Sequence, residues 1–204
     1  MRVDLPIVVT AATNRNLATL ENVRLEFGLT DHSEDAQLRM WLRQASGLIE
    51  RRCDPHLVNE TFTQQFNNLC RAPSIKLHRY PVVVITSVVE DDVTLTIDDD
   101  YRYGANDGII YRQSGGVDCE WSATKVIVTH SAGYTLGDDL PLEIERAVIE
   151  QVKAYRFGAE RNPLARNIEV ANAGSEQIWF DSDPDGLCPA ARGLISGFTT
   201  RTNW

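Results

Sequence analysis

The chain has 204 residues, 43% of them hydrophobic, which is enough for one core of ordinary domain size. Its formal net charge of -9 argues against a protein that grips nucleic acid, because phosphate binding needs clustered Lys and Arg to displace counterions. Cys53, Cys70, Cys119 and Cys188 form no C-x-x-C pair and have no histidine at ligand spacing, so neither a zinc site nor a disulfide scaffold is expected, and no cofactor is implied.

The opening residues Met1 to Pro6 lack a continuous apolar run and no stretch approaches the length of a membrane span, so a soluble protein that stays where it is made, or leaves inside an assembly, is expected. Thr19 is placed to cap a short helix over 19–28, with Leu20, Val23 and Phe27 on one face and Gly28 at its stop. Asp31 and Glu34 stand at capping-box spacing before a longer helix over 34–53. In it Leu38, Trp41, Leu42, Ala45, Leu48 and Ile49 recur at three and four, which predicts a buried stripe and a helical hairpin. Asp54-Pro55 ends it, since the residue before a proline is driven from helical dihedrals.

A β block over 57–134 follows, with β-branched runs at Val82–Ile85, Val93–Ile97, Ile109–Tyr111 and Val126–Thr129. Asn106-Asp107-Gly108 and Gly115-Gly116 predict reversals, and Pro81 belongs at a strand start or edge. Pro141 then suits the first turn of a helix over 141–158 whose inner face is Ile144, Ala147, Val148, Val152 and Tyr155, with Asp138 and Asp139 near its positive end.

The expected architecture is α+β and mainly a helical bundle. The hairpin and the long later helix make the bundle, a small antiparallel sheet is inserted, and the C-terminal arm is extended. Residues 1–163 form the globular domain in this reading and residues 164–204 the arm, which ends in a short helix. The arm carries Ile168, Val170, Ile178, Trp179, Phe180, Leu187, Leu194, Ile195, Phe198 and Trp204, too apolar for a solvated tail.

Chemistry-bearing motifs are weak. Asp181-Ser182-Asp183-Pro184-Asp185-Gly186 matches the first half of a calcium loop, but Arg192 stands where the closing bidentate Glu belongs, so an acidic turn is the better reading. His130-Ser131 suggests a nucleophile and its base, yet strand neighbours point to opposite faces. His32, His56 and His78 are isolated, and Asp98-Asp99-Asp100 reads as a solvated charge run before it reads as a metal site. Tyr101, Tyr103, Tyr111, Trp121 and Tyr134 lack the basic groove that single-stranded nucleic acid would need beside them. No catalytic residue is assigned, and an enzyme is not expected. A small hydrolase using His130 or Asp98 to Asp100, and a calcium-binding module, are the alternatives of another class.

The order of parts resembles the head–tail connector, or adaptor, proteins of long-tailed bacteriophages and prophages. The resemblance rests on the helix from Glu34 to Cys53, Tyr80-Pro81-Val82 leading to Ile85-Thr86-Ser87-Val88, Tyr101-Arg102-Tyr103 and Gly108-Ile109-Ile110. It continues through Trp121, Val126 to Tyr134, and Leu140-Pro141 opening the helix through Tyr155, and so spans nearly the whole chain. It implies a structural virion protein at the neck, assembled in the host bacterial cytoplasm. Such a subunit forms a homo-oligomeric, dodecameric ring under the portal, extends the DNA channel and carries the stopper or tail proteins. A stopper or tail-completion protein is the nearest alternative. The partners implied are other copies of the chain, portal protein, stopper and passing DNA, with no membrane. The resemblance makes Ile178, Trp179, Phe180, Leu194, Ile195, Phe198 and Trp204 the portal-binding candidates, aromatic anchors first. Asp91, Asp92, Asp98, Asp99 and Asp100 are the channel-facing candidates, since a negative lumen lets DNA slide.

Overall fold

The computed structural model describes residues 2–53, 57–137, 139–159, 168–169, 175–176 and 186–199. Strands β1 (Arg2–Val3) and β2 (Ile7–Thr10) precede helices α1 (Leu20–Glu26) and α2 (Asp35–Glu50). Then come β3 (Glu60–Asn67), β4 (Ile75–Lys76), β5 (Val82–Glu90), β6 (Val93–Thr94) and β7 (Tyr101–Tyr103). They are followed by β8 (Ile109–Ser114), β9 (Val117–Cys119) and β10 (Lys125–Ala132). Helix α3 (Leu142–Ala159), the hairpin strands β11 (Ile168–Glu169) and β12 (Ser175–Glu176), and helix α4 (Pro189–Ile195) complete the described chain.

These elements form two compact units, one from residues 1–14 and 54–139, the other from 15–53 and 140–204. The first is all β. A six-stranded antiparallel sheet runs β1-β3-β10-β5-β6, with β2 also on β3, and a four-stranded sheet runs β4-β8-β7 with β9 on β8. Period-two patterning makes the long strands: Phe62, Gln64 and Phe66 on β3 and Val126, Val128, His130 and Ala132 on β10 all face inward. Phe66, Val88, Ile110, Trp121, Val126 and Val128 lie in one buried cluster. The reversals expected at Asn106 to Gly108 and at Gly115-Gly116 connect β7 to β8 and β8 to β9, with left-handed glycines at 108, 115 and 116.

Two close features shape the first unit. Gly133 has φ 114°, and a Cβ there would overlap the Val58 carbonyl and stand 2.7 Å from the Asn59 nitrogen, so only glycine fits where β10 ends. Gln64 is fully buried in the β3 face; its Oε1 accepts from the His78 backbone N–H at 3.0 Å, while its Nε2 lies 2.5 Å from His78 Nδ1.

The second unit is helical. In α2 the residues Leu38, Trp41, Leu42, Ala45 and Ile49 are buried at the expected spacing, and in α3 Ile144, Ala147, Val148 and Val152 are. Thr19 caps α1 through its Oγ1, which accepts from Asn22 N at 3.1 Å. The capping box expected before α2 does not form, because Asp31 accepts instead from Ser33 N and Ser33 Oγ, while Glu34 at the N-cap makes no side-chain capping bond and pairs with Arg156 at 3.1 Å. The buried Ser46 hydroxyl accepts from Leu17 N at 2.9 Å and fixes the chain segment before α1 on α2.

The expectation of a mainly helical bundle with a small inserted sheet is corrected. Strands outnumber helices twelve to four among the described residues, and the fold is a β-rich α+β one. The β unit is not simply an insertion, since β1 and β2 from the N-terminal segment pair with β3. β3 is a strand of eight residues that carries Gln64 inside and Thr61, Thr63 and Gln65 outside, so composition hid it. The described end of the supposed extended arm is also not extended: α4 packs on α3, with Leu187, Ala191 and Ile195 buried at i, i+4 and i+8.

Candidate functional site

The candidate acidic residues sit on two neighbouring turns of the β unit. Asp91 and Asp92 form the β5–β6 reversal, both with positive φ, a conformation that aspartate tolerates better than most residues. Asp91 spends its carboxylate locally, accepting from Thr124 N at 3.1 Å and Lys125 N at 2.8 Å, and Asp92 pairs with Lys125 Nζ at 3.1 Å. Asp98 to Asp100 make the turn before β7, where Asp100 Oδ2 accepts from Thr96 N at 2.9 Å. Asp98 and Asp99 are exposed and make no side-chain ion pair among the described residues.

Arg112 ties the two turns together. Its guanidinium donates to Glu90 Oε2 and the Asp100 carbonyl at 2.9 and 2.7 Å and lies over the Trp121 ring, 5.9 Å from its centroid. This residue was not singled out from sequence, although a basic residue on a strand of apolar and polar alternation was the available signal. It makes Glu90 and Asp100 structural, which leaves Asp98 and Asp99 as the carboxylates of these two turns with no side-chain partner among the described residues.

Of the candidate portal anchors, Ile178, Trp179, Phe180 and Trp204 lie outside the described residues. Ile195 is buried in the helical unit, while Leu194 and Phe198 are half-buried. Gln151 of α3, itself buried, holds the approach to α4 by donating to the Gly186 carbonyl at 3.2 Å and accepting from Cys188 N at 2.8 Å. Pro189 at the first helical position and Cys188 Sγ accepting from Ala191 N start α4.

The helical unit also carries a shallow groove of about 420 Å³ between α1 and α3, flanked by the exposed Leu25 and Leu142. Glu26 lies at its side between Arg146 and Lys153, and hydrogen bonds from these two cations bring its carboxyl down to about 2.

The nucleophile reading finds no support in the geometry. His130 is fully buried, neither ring nitrogen makes a well-aligned hydrogen bond among the described residues although the Arg79 and Val128 backbone lies near, and the Phe62 ring is 5.9 Å away, centroid to centroid. Desolvation pushes its pKa down to about 4, so the ring is neutral and sealed from any substrate. Ser131 faces the other way, beside Thr61 Oγ1 at 3.4 Å. His32 contacts Asp35 at 3.0 Å, and His56 lies outside the described residues. Residues 181–185 of the calcium-like loop also lie outside them. Among the described residues no group of three or more His, Cys, Asp or Glu is placed to hold a metal ion, and no helix is long and apolar enough to cross a membrane.

The fold has solved counterparts. A chain of the neck of an empty gene transfer agent (GTA) particle computed with C6 symmetry is 19% identical, with a TM-score of 0.59. A chain of the neck of the native GTA particle computed with C12 symmetry is 17% identical, with a TM-score of 0.58. A chain from the virion of the native GTA particle is 18% identical, with a TM-score of 0.60. Each alignment covers 97% of this chain and 96% of the other. This chain shares their fold from end to end. No protein-family model matches the sequence, and no curated protein matches it.

Proposed function

We propose that the protein is a structural subunit of the neck of a phage-like particle, and within the neck an adaptor that forms a dodecameric ring under the portal. The observation that carries this reading is the end-to-end likeness to chains of GTA necks computed with C6 and C12 symmetry, which involves both units and not one common module. The connector resemblance in the order of sequence motifs points the same way, independently of the fold.

In this role the chain works through its surfaces. Asp98 and Asp99 are the acidic residues free to line a DNA channel, where negative charge keeps passing DNA from sticking. Leu194 of α4 and Phe198 just beyond it, with Ile178, Trp179, Phe180 and Trp204, are the proposed portal contacts, and Ile195 supports them from the core. The tier is tested by mixing the purified chain with cognate portal and, separately, with a preformed adaptor ring. Electron microscopy of a ring on the portal supports the adaptor reading. Binding only to the preformed ring assigns the stopper tier, and binding to neither overturns the neck assignment.

A further inference from the structure

The six-stranded sheet has two open edges, and both are apolar at the same level. On one side all four residues of β2 are exposed, Ile7 at 71% and Val9 at 60%. On the other, β6 pairs only with Val89 and Glu90 of β5, so Val83 to Ser87 carry no neighbouring strand among the described residues, and Val83 and Val84 are about half exposed. The register puts these edges in line: Thr10 lies opposite Thr61, Thr61 opposite Ser131, and Ser131 opposite Val84. Further along the same strands each edge carries a charge that is paired within the chain, Arg2 with Asp4 and Asp92 with Lys125. Arg2 on β1 opposes Asn67 and stands in the row of Lys125, while the exposed Asp92 lies beyond the end of β5.

Both edges are irregular in the same stretch. The β2–β3 register shifts between Val8 and Thr10, and the β5–β10 register shifts at Val83 and again at Thr86. A bulge re-aims side chains, which accounts for two consecutive valines being exposed on β5, and it discourages a long regular ladder with a stray strand. The pairing these edges suit is therefore a short contact led by side chains. The two edges differ from each other, so a surface that joins one to the other is heterologous and propagates head to tail, the arrangement that closes into rings.

We infer that the β2 edge of one copy docks on the Val83–Val84 edge of the next, the occupant of each edge being a second copy of this chain. The inference rests on the ring reading above and adds the surface that builds the ring. Strand directions agree with it: β2 runs antiparallel to β3, and β5 antiparallel to β10, which is antiparallel to β3, so β2 meets the β5 of the next copy antiparallel.

The test uses the full chain with the exposed Cys70 and Cys119 changed to Ser, and two single variants, Val9→Cys and Val84→Cys. An equal mixture treated with a short bismaleimide should give a cross-linked heterodimer that neither variant gives alone, and the double variant should give a ladder. Val84→Asp, at an exposed position, should shift the native mass from ring to monomer and keep the circular-dichroism spectrum and cooperative melting of a folded chain. Rings by native mass without mixed cross-links place the contact elsewhere and leave the ring reading standing. Cross-links within one variant alone mean an isologous contact and overturn the inference. A chain that stays monomeric with portal present overturns both.

Discussion

Gln151 holds Cys188: the buried carboxamide oxygen on α3 accepts from the Cys188 backbone N–H at 2.8 Å, while the same amide donates to the Gly186 carbonyl. One side chain thus satisfies two backbone groups just before α4, the N–H of half-buried Cys188 and the carbonyl of exposed Gly186. Gln151→Leu removes the partner of the Cys188 N–H, while water takes up the exposed Gly186 carbonyl, and should loosen α4 by about 1–3 kcal/mol. Hydrogen exchange of residues 186–199 should speed up while that of α2 does not. Equal acceleration in both helices would show that α4 does not open separately.

The buried Ile195 and half-buried Phe198 separate packing from docking. Ile195→Ala should destabilise the helical unit by about 2–5 kcal/mol, the usual cost of emptying a packed aliphatic site. Phe198→Ala should change the melting temperature much less and weaken binding to portal, measured by co-sedimentation. Unchanged portal binding would remove Phe198 from the contact.

His130 makes the β unit sensitive to mild acid. Its folded pKa of about 4 lies below the unfolded value of 6.5, so the unfolded chain takes up the proton first and stability falls as pH drops between these two values. The loss is at most about 3 kcal/mol and is complete below the lower value. Melting curves from pH 7.5 to 4 should show it, and His130→Phe should flatten the curve in that window. An equal slope in the variant would assign the sensitivity to other groups.

Gly133→Ala meets both a φ of 114° and the Val58 carbonyl. It should cost at least about 1–3 kcal/mol from backbone strain, more if the overlap pushes β10 from its place. Gly137→Ala offers the control, since its φ is 91° but nothing lies near its Cβ. Urea melts of the pair should show the larger loss at 133, and equal losses would mean that crowding by Val58 adds nothing.

Much of the helical unit was legible because helical stripes declare themselves locally: Leu38, Trp41, Leu42 and Ala45 on α2, and Ile144, Ala147 and Val148 on α3, face inward as their spacing requires. Turn chemistry was equally local, so Asn106-Asp107-Gly108 could be placed without knowing what it joined. β3 could not, because a strand with Gln64 inside and Thr61 outside is stabilised by neighbours distant in sequence. The same limit hid Arg112, whose task depends on Glu90 and Asp100 arriving from separate turns.

Residue order and spacing alone thus determined the helices, the reversals, the acidic balance and the absence of a familiar catalytic motif, all properties written within a few residues of one another. Tertiary structure alone decided that the molecule is β-rich, that Ile195 is core, that His130 is sealed, and that of the five acidic candidates on the β-unit turns Asp98 and Asp99 have no side-chain partner among the described residues. Those outcomes come from long-range strand pairing and helix docking, whose free energy depends on contacts between segments that no local window contains.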